Sequence, residues 1–294
     1  MEQKNNFPIH YCISTDAIFP PSLRYIPSAP HKLYYRGDIQ STPRIAIVGT
    51  RRASLEGKKL AYHIAYELAL NHWCIVSGLA FGIDTAAHQG ACAAQGITWA
   101  VLAHGLDTIQ PKHNVKLAQE IVSTQGCLLS EYSPGTPPYP HQFLARNRII
   151  SGVSNALIVI EAPQASGSLA TARAAIQQGI PVFVFPGPSS SSLYVGSHEL
   201  IRNGARLVRN IKDLYTDLTA HPQLAGIIPT EFNSLTPIQT SVLSYIRQVS
   251  KPIPLDSIIE KLHISYQEAQ AILIILLEKR YIREIGPQLY THIV

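Results

Sequence analysis

Apolar residues in this chain fall in short runs at fairly regular intervals, separated by stretches in which they recur every three to four positions. Runs at 44–48, 74–77, 98–102, 127–130, 156–160, 181–185 and 205–208 predict strands. The stretches at 58–70, 85–95, 115–123, 171–178 and 197–203 predict helices between them. Alternation of this kind predicts an α/β fold, a parallel sheet with helices on both faces. Gly49, Gly78 and Gly187 follow three of the predicted strands. In open α/β sheets ligands bind beyond the carboxyl ends of the strands, so the turns that carry chemistry are expected along one edge.

The rhythm differs at both ends of the chain. Residues 1–43 contain Pro8, Pro20, Pro21, Pro27 and Pro30, which predicts an irregular arm with one short helix. Phe19, Tyr25, Tyr34 and Tyr35 suit an arm docked on the core domain, 44–218. Residues 219–234 lack periodicity and include Pro222 and Pro229, as a linker would. From 235 to 294 the pattern gives three helices and a hairpin, a small winged helix. Thr236, Pro237 and Gln239 form a capping box with proline at the first helical position, and Ser265 with Glu268 forms another. The third helix carries seven consecutive apolar residues over 271–277, so more than one of its faces must be buried. Its outward face, with Ile274 and Leu277, is expected to meet protein. Groove binding through Lys279, Arg280 and Arg283 is the alternative.

Composition narrows the class. Of 294 residues 46% are hydrophobic, enough for a sizeable core, and only 15% are charged, against about 25% in an average soluble chain. So little charge suggests that some surface is covered by a partner or a second copy. The net charge is +5. An anionic partner is compatible with that, but a cation site must be a local focus. Arg44, Arg51, Arg52, Lys58 and Lys59 supply one, opposed within that stretch by Glu56 alone. Four separated cysteines with no Cys-x-x-Cys pair argue against a disulfide framework or a cysteine zinc site and fit a reducing cytosol. No secretory leader and no membrane-length apolar run is visible, so a cytoplasmic protein without a membrane anchor is expected. No metal or other cofactor is predicted.

Four turns carry the candidate chemistry. Gly49-Thr50-Arg51-Arg52-Ala53-Ser54 joins a strand to a helix, where free backbone amides favour anions and paired arginines add bidentate donors. It lacks both the dinucleotide glycine fingerprint and a Walker lysine. In the second turn Gly78 and Gly82 permit a sharp bend and close backbone approach. Asp84 and His88 follow on one helix face, as a base and its orienter, as metal ligands, or as a helix-start carboxylate and a packed histidine; spacing alone favours the last. The third turn, with Ser166, Gly167, Ser168 and Thr171, reads equally as a phosphate cradle or an ordinary helix cap. The fourth sets Phe143 beside Arg146, Asn147 and Arg148. Cations beside a flat ring suit single-stranded nucleic acid, while a helix with two exposed arginines and a core phenylalanine is the plainer reading.

In this order the turns resemble the DNA-processing protein DprA (Smf) family, from about residue 19 to residue 213. The resemblance rests on Gly49-Thr50-Arg51, Ser77-Gly78-Leu79-Ala80 with Gly82-Ile83-Asp84, Arg146-Asn147-Arg148-Ile149-Ile150-Ser151-Gly152, Glu161-Ala162 with Ser166-Gly167-Ser168-Leu169, and Pro186-Gly187. It implies an extended Rossmann-like domain followed by a winged helix. It also implies a non-enzymatic homodimer that binds single-stranded DNA, protects incoming DNA and helps load the RecA recombinase during natural transformation. By the same resemblance the DNA and its phosphates would meet Gly49, Thr50, Arg51, Arg52, Ser54, Gly78, Gly82, Phe143, Arg146, Asn147, Arg148, Ser166, Gly167, Ser168 and Thr171. Two positions depart from the family pattern: Phe81 stands where arginine is usual, and Leu144 where proline is usual. The third turn is also distantly similar to nucleoside-monophosphate phosphoribohydrolases. A nucleotide-binding or nucleotide-cleaving enzyme using Asp84 or Glu161 is therefore the rival reading, although Ala174 replaces that family's catalytic glutamate.

Overall fold

The computed structural model describes residues 8–224, 235–249, 251–278 and 281–292. They fall into two compact units, Met1–Pro229 and Thr230–Val294.

In the first unit, nine strands form one sheet: β1 (His10–Ile13), β2 (Lys32–Gly37), β3 (Arg44–Gly49), β4 (Cys74–Ser77), β5 (Thr98–Leu102), β6 (Cys127–Ser130), β7 (Ala156–Ile160), β8 (Val182–Val184) and β9 (Arg206–Leu207). Their order is β1-β2-β6-β5-β4-β3-β7-β8-β9. The strands β3 to β9 are parallel, as the alternation predicted. From β3 the chain winds outward through α1 (Leu55–Leu70), α2 (Ile83–Ala93) and α3 (Val115–Ser123) to β6. It then returns through α4 (Pro140–Gly152) to β7 on the other side of β3, and continues through α5 (Gly167–Gln177) and α6 (Val195–Arg202). Side-chain alternation gives each helical layer its own core. Val76, Val101, Leu129 and Val159 pack with Ile149 and Ile150 of α4 and Leu169 and Ala172 of α5. Ala100, Leu102 and Leu128 point the other way, toward Cys92 of α2 and Leu117 and Ile121 of α3. The connections diverge after β3 and β7, which places the topological switch point between their carboxyl ends.

The amino-terminal segment is not the irregular arm that its prolines suggested. β1 and β2 pair antiparallel with each other, and β2 pairs antiparallel with β6, so the sheet is mixed. Pro20, Pro21, Pro27 and Pro30 all fall in the connection between the two strands, where they cost no ladder hydrogen bonds. The short helix expected there is a 3-10 turn, Pro21–Tyr25, anchored by the fully buried Phe19 and Leu23. At the other end, α7 (Ile211–Ala220) runs into the predicted linker, and Leu224 beyond it is buried. Residues 225–234 of that linker lie outside the described residues.

The second unit holds α8 (Pro237–Gln248), α9 (Leu255–Leu262) and α10 (Tyr266–Glu278) with three short strands, β10 (Ile253–Pro254), β11 (Ile282–Gly286) and β12 (Leu289–His292), ordered β10-β12-β11. Three helices with a small three-stranded sheet are consistent with the expected winged helix. The Thr236 capping box forms: Gln239 N donates to Thr236 Oγ1 at 3.3 Å and Thr236 N to Gln239 Oε1 at 3.1 Å. The apolar run of α10 is explained largely by packing within this unit. Ile272, Leu273, Ile275 and Leu276 are buried, Ile274 is exposed and Leu277 is partly covered. The outward apolar face thus shrinks essentially to Ile274. Lys279 and Arg280 lie outside the described residues.

Candidate nucleic-acid interface

The site begins where β3 and β7 end side by side. Gly49 is required there because a Cβ would sit 1.9 Å from the carbonyl oxygen of Ile160. Thr50 N donates to Glu161 O at 2.8 Å, tying the two strand ends together. The second turn packs onto the first. Gly82 has φ +80°, and a Cβ there would lie 2.3 Å from Thr50 O, while Ile83 N donates to that same oxygen at 3.3 Å. Arg51 and Arg52 project from this braced backbone and are exposed.

Beside them opens a cleft of about 410 Å³. Gly49, Thr50, Arg51 and Arg52 form one wall; Phe143, Arg146 and Asn147 of α4 form a second; Ser166, Gly167, Ser168 and Thr171 at the start of α5 form a third. Ser166 caps α5, its Oγ accepting from Ser168 N at 3.3 Å. Asn147 Nδ2 donates to Gly167 O at 3.2 Å and so ties α4 to that helix start. No acidic residue occupies the first turn of α5. Its positive end therefore faces the cleft with no counter-charge from its own first turn, and the acidic residue in the cleft lining, Asp84, has the Arg146 charge beside it.

Arg146 forms part of the buried framework. Its side chain is almost wholly buried and donates to Gly78 O at 3.0 Å, to Val101 O and to Asn147 Oδ1. Burial lowers its pKa to about 10 against the pull of Asp84. Asp84 Oδ2 accepts from Gly78 N at 3.1 Å and Ala80 N at 3.4 Å, and burial raises its pKa although Arg146 opposes the shift. His88 is hydrogen-bonded to Thr98 and not to Asp84. Its Nδ1 meets Thr98 Oγ1 at 2.7 Å, and burial followed by the Arg146 charge lowers its pKa to about 3. The pair is thus a helix-start carboxylate and a packed, neutral histidine.

Eleven of the fifteen expected contact residues line the cleft, and four do not. Ser54 is engaged elsewhere: its amide donates to Glu161 Oε2 at 2.8 Å, its hydroxyl donates to Oε1, and it caps α1 by accepting from Gly57 N. Arg148 lies outside, held by Glu131 in a two-pronged pair at 2.7 and 2.9 Å. Gly78 is covered by the Arg146 guanidinium, and Gly82 is packed under Thr50. Both glycines shape the cleft without lining it. Glu161 is fully buried, has φ +51°, and also accepts from Tyr194 OH at 3.1 Å. Burial, together with that carboxylate, pushes the Tyr194 phenol up to about 12. Glu161 faces these partners and not the cleft, which weakens its candidacy as a catalytic acid.

Seven lining residues stand outside the expected fifteen: Val48, Ala80, Asp84, Pro140, Leu144, Ile150 and Ala165. The sequence reading also missed Asn114, whose Nδ2 donates to Leu79 O at 2.9 Å and to Thr85 Oγ1 at 2.8 Å. Only proximity to a motif could have flagged the lining residues, and nothing local flags Asn114. Among the described residues no three His, Cys, Asp or Glu side chains are grouped to hold a metal, and no described helix is long and apolar enough to cross a membrane.

A cation-walled cleft at the switch point of an open sheet, with a helix start aimed into it, defines a Rossmann-like α/β protein built to attract anions. Residues 10–219 match the family model for DNA recombination-mediator protein A, and the chain belongs to that family. It is 42% identical over 204 residues to DNA processing protein DprA of Streptococcus pneumoniae, spanning 69% of this chain and 72% of that protein. It is 39% identical over 214 residues to Protein Smf of Escherichia coli, spanning 72% of this chain and 57% of that one. The crystal structure of the S. pneumoniae DprA superposes with a TM-score of 0.67 at 41% identity, over 72% of this chain and 74% of the other. DNA processing protein A of Helicobacter pylori, whose structure is described for its single-stranded DNA binding mode, gives a TM-score of 0.66 at 34% identity, over 73% of this chain and 97% of the other.

Proposed function

We propose that this chain binds single-stranded DNA in the cleft between β3, α4 and α5 and acts there as a recombination mediator. One observation carries the reading: Arg51 and Arg52 stand exposed over a cleft whose far wall is the start of α5, a helix with no acidic residue in its first turn. Phosphates would meet the two guanidinium groups and the Gly167 amide at the start of α5. Phe143 lies beneath Arg51, with the guanidinium carbon 5.0 Å from the ring centroid. That contact pre-orients the cation, and the Arg146 guanidinium carbon lies 6.0 Å from the same ring, so Phe143 holds the arginines that frame the cleft. Sequence-independent contacts of this kind suit strands of arbitrary sequence. Membership of the recombination-mediator family supports the wider role proposed here, that of a cytoplasmic homodimer that protects incoming strands and passes them to RecA during natural transformation.

The experiment is filter binding of an oligothymidine over a salt series. Each phosphate contact on a single strand contributes a slope of about −0.7 in log K against log salt. Arg51→Ala is expected to weaken binding and flatten the slope by about 0.7, and adding Arg52→Ala by about as much again. An unchanged affinity and slope in the double variant would refute the site.

A further inference from the structure

Two exposed ring pairs flank the cleft, one from each helical layer. On the α2 side, Phe81 is 50% exposed and its ring centroid lies 6.3 Å from that of His113, tilted by 41°. On the α4 side, Tyr139 is likewise 50% exposed and stacks on His141 at 5.9 Å, with the rings 8° from parallel. Both adjoin the cleft directly. Ala80 and Asp84, on either side of Phe81 in the chain, line it, and so does Pro140, next to Tyr139.

Neither pair sits on a loose loop. Asn114, itself buried, clamps the turn that bears Phe81 by donating to Leu79 O and Thr85 Oγ1, and Thr85 Oγ1 in turn donates to Ala80 O at 2.6 Å. His113 precedes Asn114 in the same 3-10 turn, so one side chain fixes both rings. Tyr139 N donates to Oε1 of the buried Gln142 at 2.9 Å, which fixes the start of α4. Lys112, exposed beside His113, adds a cation at the outer end of the first pair.

We infer that Phe81 with His113 and Tyr139 with His141 are nucleobase platforms, so that a bound strand crosses the sheet rim from one helical layer to the other with its phosphates in the cleft and its flanking bases stacked at both ends. This rests on the cleft being the DNA site proposed above, and extends that site beyond its charged centre. Stacking on an exposed ring accepts any base because every base has a π face, and alanine substitution at such a platform costs roughly 1–3 kcal/mol per base, which is about fivefold or more in affinity.

The test is fluorescence anisotropy with a long oligothymidine, a dinucleotide, and an oligomer of the long length carrying abasic sites throughout. Phe81→Ala and Tyr139→Ala are each expected to weaken binding of the long oligothymidine at least about fivefold with the salt slope unchanged, because no phosphate contact is lost. Both variants should bind the dinucleotide and the abasic oligomer as the parent protein does. Phe81→Leu, which keeps apolar bulk without a π face, should behave as Phe81→Ala. Thermal melts of the variants check that the fold is intact. Unaltered binding by Phe81→Ala and Tyr139→Ala, or parent-like binding by Phe81→Leu, overturns the platforms. If Arg51→Ala still weakens binding in that case, the cleft reading survives the loss. If Arg51→Ala also binds as the parent does, the cleft and the platforms fall together.

Discussion

Arg51-Arg52 and Arg146-Asn147-Arg148 look alike as text, two arginine clusters beside motif glycines. The fold gives them different work. Arg51 and Arg52 stand on a turn braced by backbone contacts and are exposed. Arg146 is buried against the carbonyls of Gly78 and Val101, and Arg148 is held by Glu131. The first cluster therefore projects an electrostatic field into the cleft, while the second builds the wall that gives the cleft its shape. An anion site needs both, because exposed cations without a rigid frame lose their advantage to side-chain entropy.

The sharpest way to break this division is to remove the buried cation. Arg146→Ala would leave the Gly78 and Val101 carbonyls without their donor and the buried Asp84 without the charge beside it. A loss of about 3–5 kcal/mol of stability is expected, the cost of unpairing a buried charge, read by urea denaturation. Arg51→Ala should move the same midpoint by no more than about 0.5 kcal/mol, as for an ordinary surface substitution. Equal effects at the two positions would erase the distinction.

Burial, reinforced by the Arg146 charge, also sets the protonation of His88. Its folded pKa is lowered to about 3, from an ordinary value near 6.5. The unfolded chain thus takes up the proton first. The stability contributed by the neutral ring is complete above about pH 6.5 and is lost as pH falls from there toward 3. At pH 5 the loss relative to neutral pH is about 2 kcal/mol. His88→Gln should flatten this part of the stability profile in denaturation series at pH 7, 6 and 5. An unchanged slope would show that another group is responsible.

The parallel half of the fold was readable because strand and helix periods are local. Each strand from β3 to β9 coincides with an apolar run, and the Ser54 and Ser166 caps mark helix starts a few residues ahead of the periodic pattern. β1 and β2 were hidden because their register is set by β6: Tyr34 pairs with Ser130, almost a hundred positions away. The same applies within the site. Composition announces that a segment carries cations, but which of them stay free depends on distant partners. Glu161 takes Ser54 across 107 residues, and Gly78 takes Arg146 across 68. Motifs therefore point to this cleft, while four of the fifteen residues they name lie outside its lining.

Arg148 is where the division between field and frame is most finely drawn, because it is a cation on α4 that neither lines the cleft nor is deeply buried. Its guanidinium and the Glu131 carboxylate are 19% and 27% exposed, so solvent screens the pair, and Arg148→Ala should cost no more than about 1 kcal/mol. Its effect on DNA should be smaller still, with the salt slope of oligothymidine binding unchanged. Glu131 already neutralises the charge, so no counterion is released from a phosphate there. Glu131→Ala sharpens the point, since it would free the Arg148 guanidinium. Binding that tightens in that variant, with a slope steeper by about 0.7, would show the strand passing within reach of α4's outer side, and the pair would then be a restraint on DNA binding instead of a brace for the wall.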